Sequence, residues 1–221
     1  MSDFDWLDDG PILETDYQLP DPLKLDRKEV RRNFVKKLRE ETLLEILERL
    51  PEPEESMHIV SNGAFDYWSF VPACQRLIGN PVILYGSTWT MSRNCIVELM
   101  ELFDKGLFTQ ISLVTGADFK HRETGVYATL VSGLLERDQR YLCFQNHAKV
   151  FLMTDGTTYL VGEGSANWTG NPRLEQTTLT NSKRLYDFHQ EWIEEVFTNA
   201  KRIKRWKSRH DQKQQASASD F

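Results

Sequence analysis

Cysteine is scarce in this 221-residue chain: Cys74, Cys95 and Cys143 are the only three, each set among apolar neighbours. So small and odd a number excludes a disulfide scaffold. It reads as reduced, buried thiols and points to an intracellular, cytoplasmic protein. No CxxC, HExxH or Cys/His cluster occurs, so neither a metal site nor a cofactor is expected. Long apolar runs are missing as well, and the acidic start MSDFDWLDDG lacks the basic-then-apolar order of a signal or transit peptide. A membrane partner is therefore not expected.

A uniform positive charge, the usual mark of a nucleic-acid binder, is also absent; the net charge is -6. The charge is unevenly placed, however. Residues 1–22 hold seven acids and no Lys or Arg, whereas KRIKRWKSRHDQK (201–213) carries seven Lys/Arg against one Asp. A local basic patch of this kind permits a polyanionic partner without requiring one, and it equally suits a solvated helix end. The acidic arm is expected to cover the basic groove until nucleic acid displaces it.

What is present has a clear rhythm. Pro11, Pro20 and Pro22 mark an extended arm, and Asp26 with Glu29 reads as a capping box opening a helix that runs to Leu50. From residue 57, short β-rich runs (MHIV, PVILYG, QISLV, RYLCFQ) alternate with helical stretches at 64–79, 93–106 and 123–137. That alternation predicts an α/β fold with a mixed, mostly parallel sheet sandwiched by helices, plus an N-terminal helical extension. Beyond 144 the rhythm breaks. AKVFLMTDGTTYLVGEG places two apolar runs around Asp155-Gly156, a hairpin signal, and an amphipathic helix follows from about Ser182. The expected organisation is an acidic arm and helix (1–56), an α/β domain (57–200) and a basic, partly disordered tail (201–221).

With only five histidines, the chain sets one at His147, two residues before Lys149 and at the mouth of the hairpin. Period-two spacing puts His147, Lys149 and Phe151 on one face of a strand. Gly164-Ser165-Ala166-Asn167 lies beyond the hairpin, and Glu175 stands on the approach to another β-run. The set comprises a nucleophile or base, a fixed cation, neutral hydrogen-bond donors and a carboxylate. Such a set suits phosphoryl transfer, where positioning and charge neutralisation dominate the barrier. Gly-Ser-x-Asn also suits a tight bend in any protein. Lys120 and Arg122, after the third strand, lie where open α/β sheets bind ligands; they suit a nucleic-acid backbone or a solvated loop equally. Tyr67, Trp68 and His189 read as core.

The HxK and GSxN elements, the hairpin between them and the downstream Glu together resemble the phospholipase D superfamily. That resemblance implies an α/β/α sandwich and a covalent phosphohistidine on His147. It implies further that Lys149 and Asn167 hold the non-bridging oxygens, that Glu175 orients an imidazole and that Ser165 fixes the network; no metal is required. The pattern departs in two places. Thr154 stands where an Asp usually follows the lysine by five residues, with Asp155 next to it, and the spacing to GSxN is three residues longer than the common form. Family catalysis uses two histidines, and this chain has a single HxK, so a C2 homodimer sharing one cleft is implied. The expected function is a metal-independent nuclease-like phosphodiesterase acting on nucleic acid, DNA before RNA. The alternatives are a non-catalytic nucleic-acid-binding or assembly protein on the same fold and, third, a lipid phosphodiesterase.

Overall fold

The computed structural model describes residues 32–37, 43–61, 67–170 and 173–203. The acidic arm, the capping box at 26–29 and the basic tail beyond 203 lie outside them. Eight strands form one sheet: β1 (Arg32–Lys37), β2 (Ser56–Ser61), β3 (Val82–Thr88), β4 (Phe108–Gly116), β5 (Arg140–Phe144), β6 (Val150–Thr154), β7 (Tyr159–Gly164) and β8 (Glu175–Asn181). Their order is β1-β2-β8-β7-β6-β3-β4-β5. The helices are α1 (Leu43–Leu47), α2 (Phe70–Ile78), α3 (Arg93–Asp104), the single turn α4 (Phe119–Arg122), α5 (Thr124–Leu135) and α6 (Lys183–Ile203).

The α/β expectation holds, but the mostly parallel sheet does not. β1–β2, β3–β4 and β4–β5 pair parallel, while the four pairings from β2 through β8, β7 and β6 to β3 are antiparallel. The physical reason is an insertion. β2 and β3 point the same way, as a helical crossover through α2 requires, but they are not neighbours. The β6–β7–β8 meander, built from short connections, slots between them. Only β6 and β8 run against the rest.

The N-terminal segment also departs from expectation. Arg32–Lys37 is an extended strand parallel to β2, and among the described residues of this segment the helix spans Leu43–Leu47. β2 would otherwise present an open row of backbone donors and acceptors, and pairing satisfies them.

Alternation along the strands divides the core in two. Leu84, Ile111, Leu113, Phe151 and Met153 face the layer that contains α2, α3 and α5. Tyr85, Val114, Val150, Leu152 and Val161 face α6, which contributes Tyr186 and Ile193. Tyr67 and Trp68 are core side chains as expected, and His189 is buried between α6 and the sheet. Ser92 caps α3 by accepting from the Cys95 amide at 3.2 Å, and the positive φ of Gly106 (75°) ends the turn after it. Among the described residues, no helix is long and apolar enough to cross a membrane.

The hairpin forms at the expected Asp-Gly. Asp155 Oδ1 accepts from the Thr157 and Thr158 amides, Asn80 donates to Oδ2, and Gly156 takes a φ of 93°. These hydrogen bonds, the one from the Thr158 amide foremost, hold the Asp155 carboxyl well below the usual carboxylate range. Both Asp155 and Thr154 sit at the end of β6 farthest from Lys149.

Gly162 lies opposite Phe151 across the β6–β7 pair, and a Cβ there would come within 2.2 Å of the phenyl ring. We expect Gly162→Ala to destabilise the fold by about 1–3 kcal/mol through overpacking. Gly170→Ala, where a Cβ meets nothing within 4 Å, should stay within about 0.5 kcal/mol of wild type. Chemical denaturation of the two variants checks this.

Candidate active site

Several loops at one end of the sheet carry chemistry-bearing residues. The ends of β3, β4 and β7 meet the starts of β6 and β8 there, because β6 and β8 run against the others.

The segment before β6 is irregular, so His147 and Lys149 precede the strand rather than ride on it. Asn146 shapes this segment. Its Oδ1 accepts from the Ser87 hydroxyl (3.2 Å) and the Ala148 amide (3.0 Å), and its Nδ2 donates to the Thr88 carbonyl (3.1 Å). Sequence reasoning missed Asn146, whose partners lie some sixty residues away. The clamp leaves the His147 side chain exposed and buries Lys149 to 8% exposure.

The expected pairing of imidazole and ammonium is present. Lys149 Nζ lies 2.7 Å from His147 Nδ1 and donates to the His147 carbonyl at 2.7 Å. The Lys149 carbonyl accepts from the Gly164 amide (3.1 Å) and from the buried Tyr67 hydroxyl (3.4 Å). A Cβ on Gly164 would strike the Tyr67 ring at 2.7 Å, so the first residue of the GSxN turn is small because an aromatic wall stands behind it. Burial lowers the Lys149 pKa below the ordinary lysine value, and the charge of Glu175 opposes that shift.

The second half of the site is the turn between β7 and β8. The Ser165 hydroxyl donates to the Glu175 carboxylate and accepts from the Gln176 amide at 3.1 Å, while the Ser165 amide donates to the Gln176 carbonyl at 3.1 Å. Ser165 and Glu175 are thereby locked together. Asn167 does not reach His147 directly; its Oδ1 accepts from the Trp89 amide at 3.2 Å. The Trp89 ring lies 5.8 Å from the His147 ring. Trp168, fully buried next to Asn167, anchors the turn: its amide donates to Thr88 Oγ1 (3.2 Å) and its carbonyl accepts from the Ser92 amide (2.9 Å).

The two basic residues expected at this edge part company. The Arg122 guanidinium sits 5.0 Å from the centroid of the Trp89 ring and so joins the site. Lys120 lies 6.0 Å from the Tyr127 ring on an apolar groove along α5, facing away from the His147 cluster's contacts. Among the described residues, no group of three His, Cys, Asp or Glu side chains is placed to hold a metal ion.

No family model matches the chain, and no curated protein matches it in sequence. Among solved structures, the chain is similar to the crystal structure of a phospholipase D family member, Nuc from Salmonella typhimurium. The identity is 15% and the TM-score 0.41, over 54% of this chain and 78% of that one. It is also similar to polyphosphate kinase from Porphyromonas gingivalis, at 16% identity and a TM-score of 0.37, over 53% of this chain but only 18% of the kinase.

A buried ammonium whose pKa is depressed costs stability while it stays charged. The cost is constant below the folded-state pKa and fades as pH rises from there toward the ordinary lysine value, where the unfolded chain alone still holds the proton. Lys149→Met is therefore expected to be at least as stable as wild type at pH 7. Its advantage should shrink as the pH rises through that window, as measured by urea denaturation at a series of pH values.

Proposed function

We propose that this chain is a metal-independent phosphodiesterase of the nuclease type, with nucleic acid as substrate and DNA preferred to RNA. The observation that carries the reading is the buried Lys149 ammonium 2.7 Å from the ring of an exposed histidine, beside the locked Ser165–Glu175 pair. An exposed nucleophile with a desolvated cation at its side is arranged for an anionic electrophile.

The geometry supports a sequence of events. At rest Lys149 Nζ donates to the His147 ring, 2.7 Å from Nδ1 and 3.4 Å from Nε2. Attack through Nε2 needs a free lone pair there, and an arriving phosphodiester supplies the means. Its non-bridging oxygens draw the ammonium away from Nδ1, since a charge-assisted bond to an oxyanion is stronger than one to a neutral imidazole. Water at the exposed ring then leaves the ring proton on Nδ1, and Nε2 presents its lone pair to phosphorus.

As the N–P bond forms, the P–O bond to the leaving oxygen breaks. That oxygen takes its proton from His147 of the partner subunit, which enters the step protonated by solvent as imidazolium, the partner's Lys149 drawn off to the same phosphate oxygens. Water next attacks phosphorus, gives a proton to the same partner imidazole, and the N–P bond breaks to release the phosphomonoester. Lys149 and Asn167 steady the oxygens, while Glu175 holds Ser165 and favours the charged state of Lys149. The second histidine comes from a C2 homodimer because the chain contains one HxK.

The test is cleavage of labelled single- and double-stranded DNA and RNA in EDTA by wild type and His147→Ala. Wild-type cleavage should persist without metal, and the variant should lose at least about three orders of magnitude in rate. Light scattering should give twice the monomer mass. Binding without cleavage, unchanged in the variant, selects a non-catalytic nucleic-acid-binding role instead.

A further inference from the structure

Three rings and forks meet at the loop after β3. The Trp89 indole contacts the His147 imidazole at 5.8 Å and the Arg122 guanidinium at 5.0 Å, and its backbone amide holds Asn167 at 3.2 Å. The tryptophan itself has little freedom. Its carbonyl accepts from the Gly116 amide at 3.1 Å, and a Cβ on Gly116 would come within 2.3 Å of indole Cδ1 and 2.8 Å of that carbonyl. The end of β4 is thus bare so that the indole can lie against it.

We propose that Trp89 is a positioning residue of this site. Its indole fixes the exposed His147 ring and presents Arg122 as a cation for the phosphate next to the one attacked. This rests on the phosphodiesterase reading and deepens it by assigning Trp89 to the nucleophile's orientation and Arg122 to the flanking phosphate of the nucleic acid.

The physical argument has two parts. An exposed imidazole turns freely about its side-chain bonds, and a nucleophile that must first be oriented loses rate by the fraction of time it is misaligned. Lys149 Nζ meets the ring along its edge, 2.7 Å from Nδ1 and 3.4 Å from Nε2, and the indole supplies the wall that this edge contact does not. Arg122, one indole away from the nucleophile, has its planar fork steadied by the aromatic face. A guanidinium so held loses less entropy on taking a phosphate than a free surface lysine does. A small diester has no second phosphate to offer; an oligonucleotide does.

The experiment combines spectroscopy and kinetics on the full chain. The His147 ring signal is assigned by its loss in His147→Ala and followed by NMR in Trp89→Leu, Trp89→Phe and Arg122→Gln. We expect Trp89→Leu to move that signal toward a free histidine and to lower kcat about tenfold to a hundredfold with KM changed less than about threefold. Trp89→Phe should recover most of both. Arg122→Gln should change Trp89 fluorescence and raise KM for an oligonucleotide more than for bis(4-nitrophenyl) phosphate.

An unmoved His147 signal in folded Trp89→Leu overturns the proposal. If that variant does not fold, unchanged indole fluorescence and an unchanged KM ratio in Arg122→Gln overturn it equally. If wild type cleaves nothing while the ring signal still responds to Trp89, the phosphodiesterase reading fails and the positioning of His147 stands.

Discussion

The direction of two strands governs the rest of the molecule. β6 and β8 run against their neighbours, so each begins where β3, β4 and β7 end. A fully parallel sheet would gather only strand ends at that edge. Here strand ends and strand starts interleave, and residues distant in sequence arrive on one rim: 87–92, 116–122, 146–149, 164–168 and 175. The hydrogen bonds that tie these loops together are local consequences of that strand order. Asn146 to Ser87 and Thr88 crosses from the end of β3 to the start of β6, while Trp168 to Thr88 and Trp89 to Asn167 join the ends of β3 and β7.

The rim is also where the protein accepts its least favourable electrostatics. Lys149 is a buried cation with an imidazole and a carbonyl as its nearest acceptors, neither of which carries a full negative charge. A carboxylate in direct contact would satisfy it better. Glu175 is instead held by Ser165, close enough to favour the ammonium's charge. The opposite arrangement appears at the other end of the fold, where Asp155 is saturated with donors inside a turn and has only a structural task.

How much of this was legible in the sequence follows from distance along the chain. His147 with Lys149 is a short-range pair that its spacing announced; Ser165 and Glu175 were each singled out through the family resemblance, but the hydrogen bond between them was not. The hairpin at Asp155-Gly156 and the cap at Ser92 were legible for the same reason, since turn and cap chemistry reside in three or four consecutive residues. The strand order was not. Helix–strand alternation gives the relative direction of β2 and β3, but no local signal says that a three-stranded meander will part them. The helix expected over 26–50 failed at Arg32–Lys37 because an open sheet edge outweighs helical periodicity in a charged, weakly patterned segment. Asn146 escaped notice because its role exists only once β3 and β6 lie side by side, and the place of Trp89 against His147 was hidden for the same reason.

The turn at 155–158 has a further bearing on how chains of this kind diverge. It lies at the far tip of the β6–β7 ribbon, while both halves of the His147 cluster lie at its base. Residues gained or lost at the tip change the length of the ribbon or the size of the turn and leave the base in register. The count of residues between the lysine and the glycine-serine element is therefore free to drift over evolutionary time, and so is the acid near the tip. Neither change need reach the chemistry. Kinship in such chains is better sought in the paired base of the ribbon than in the length of chain strung between its two legs.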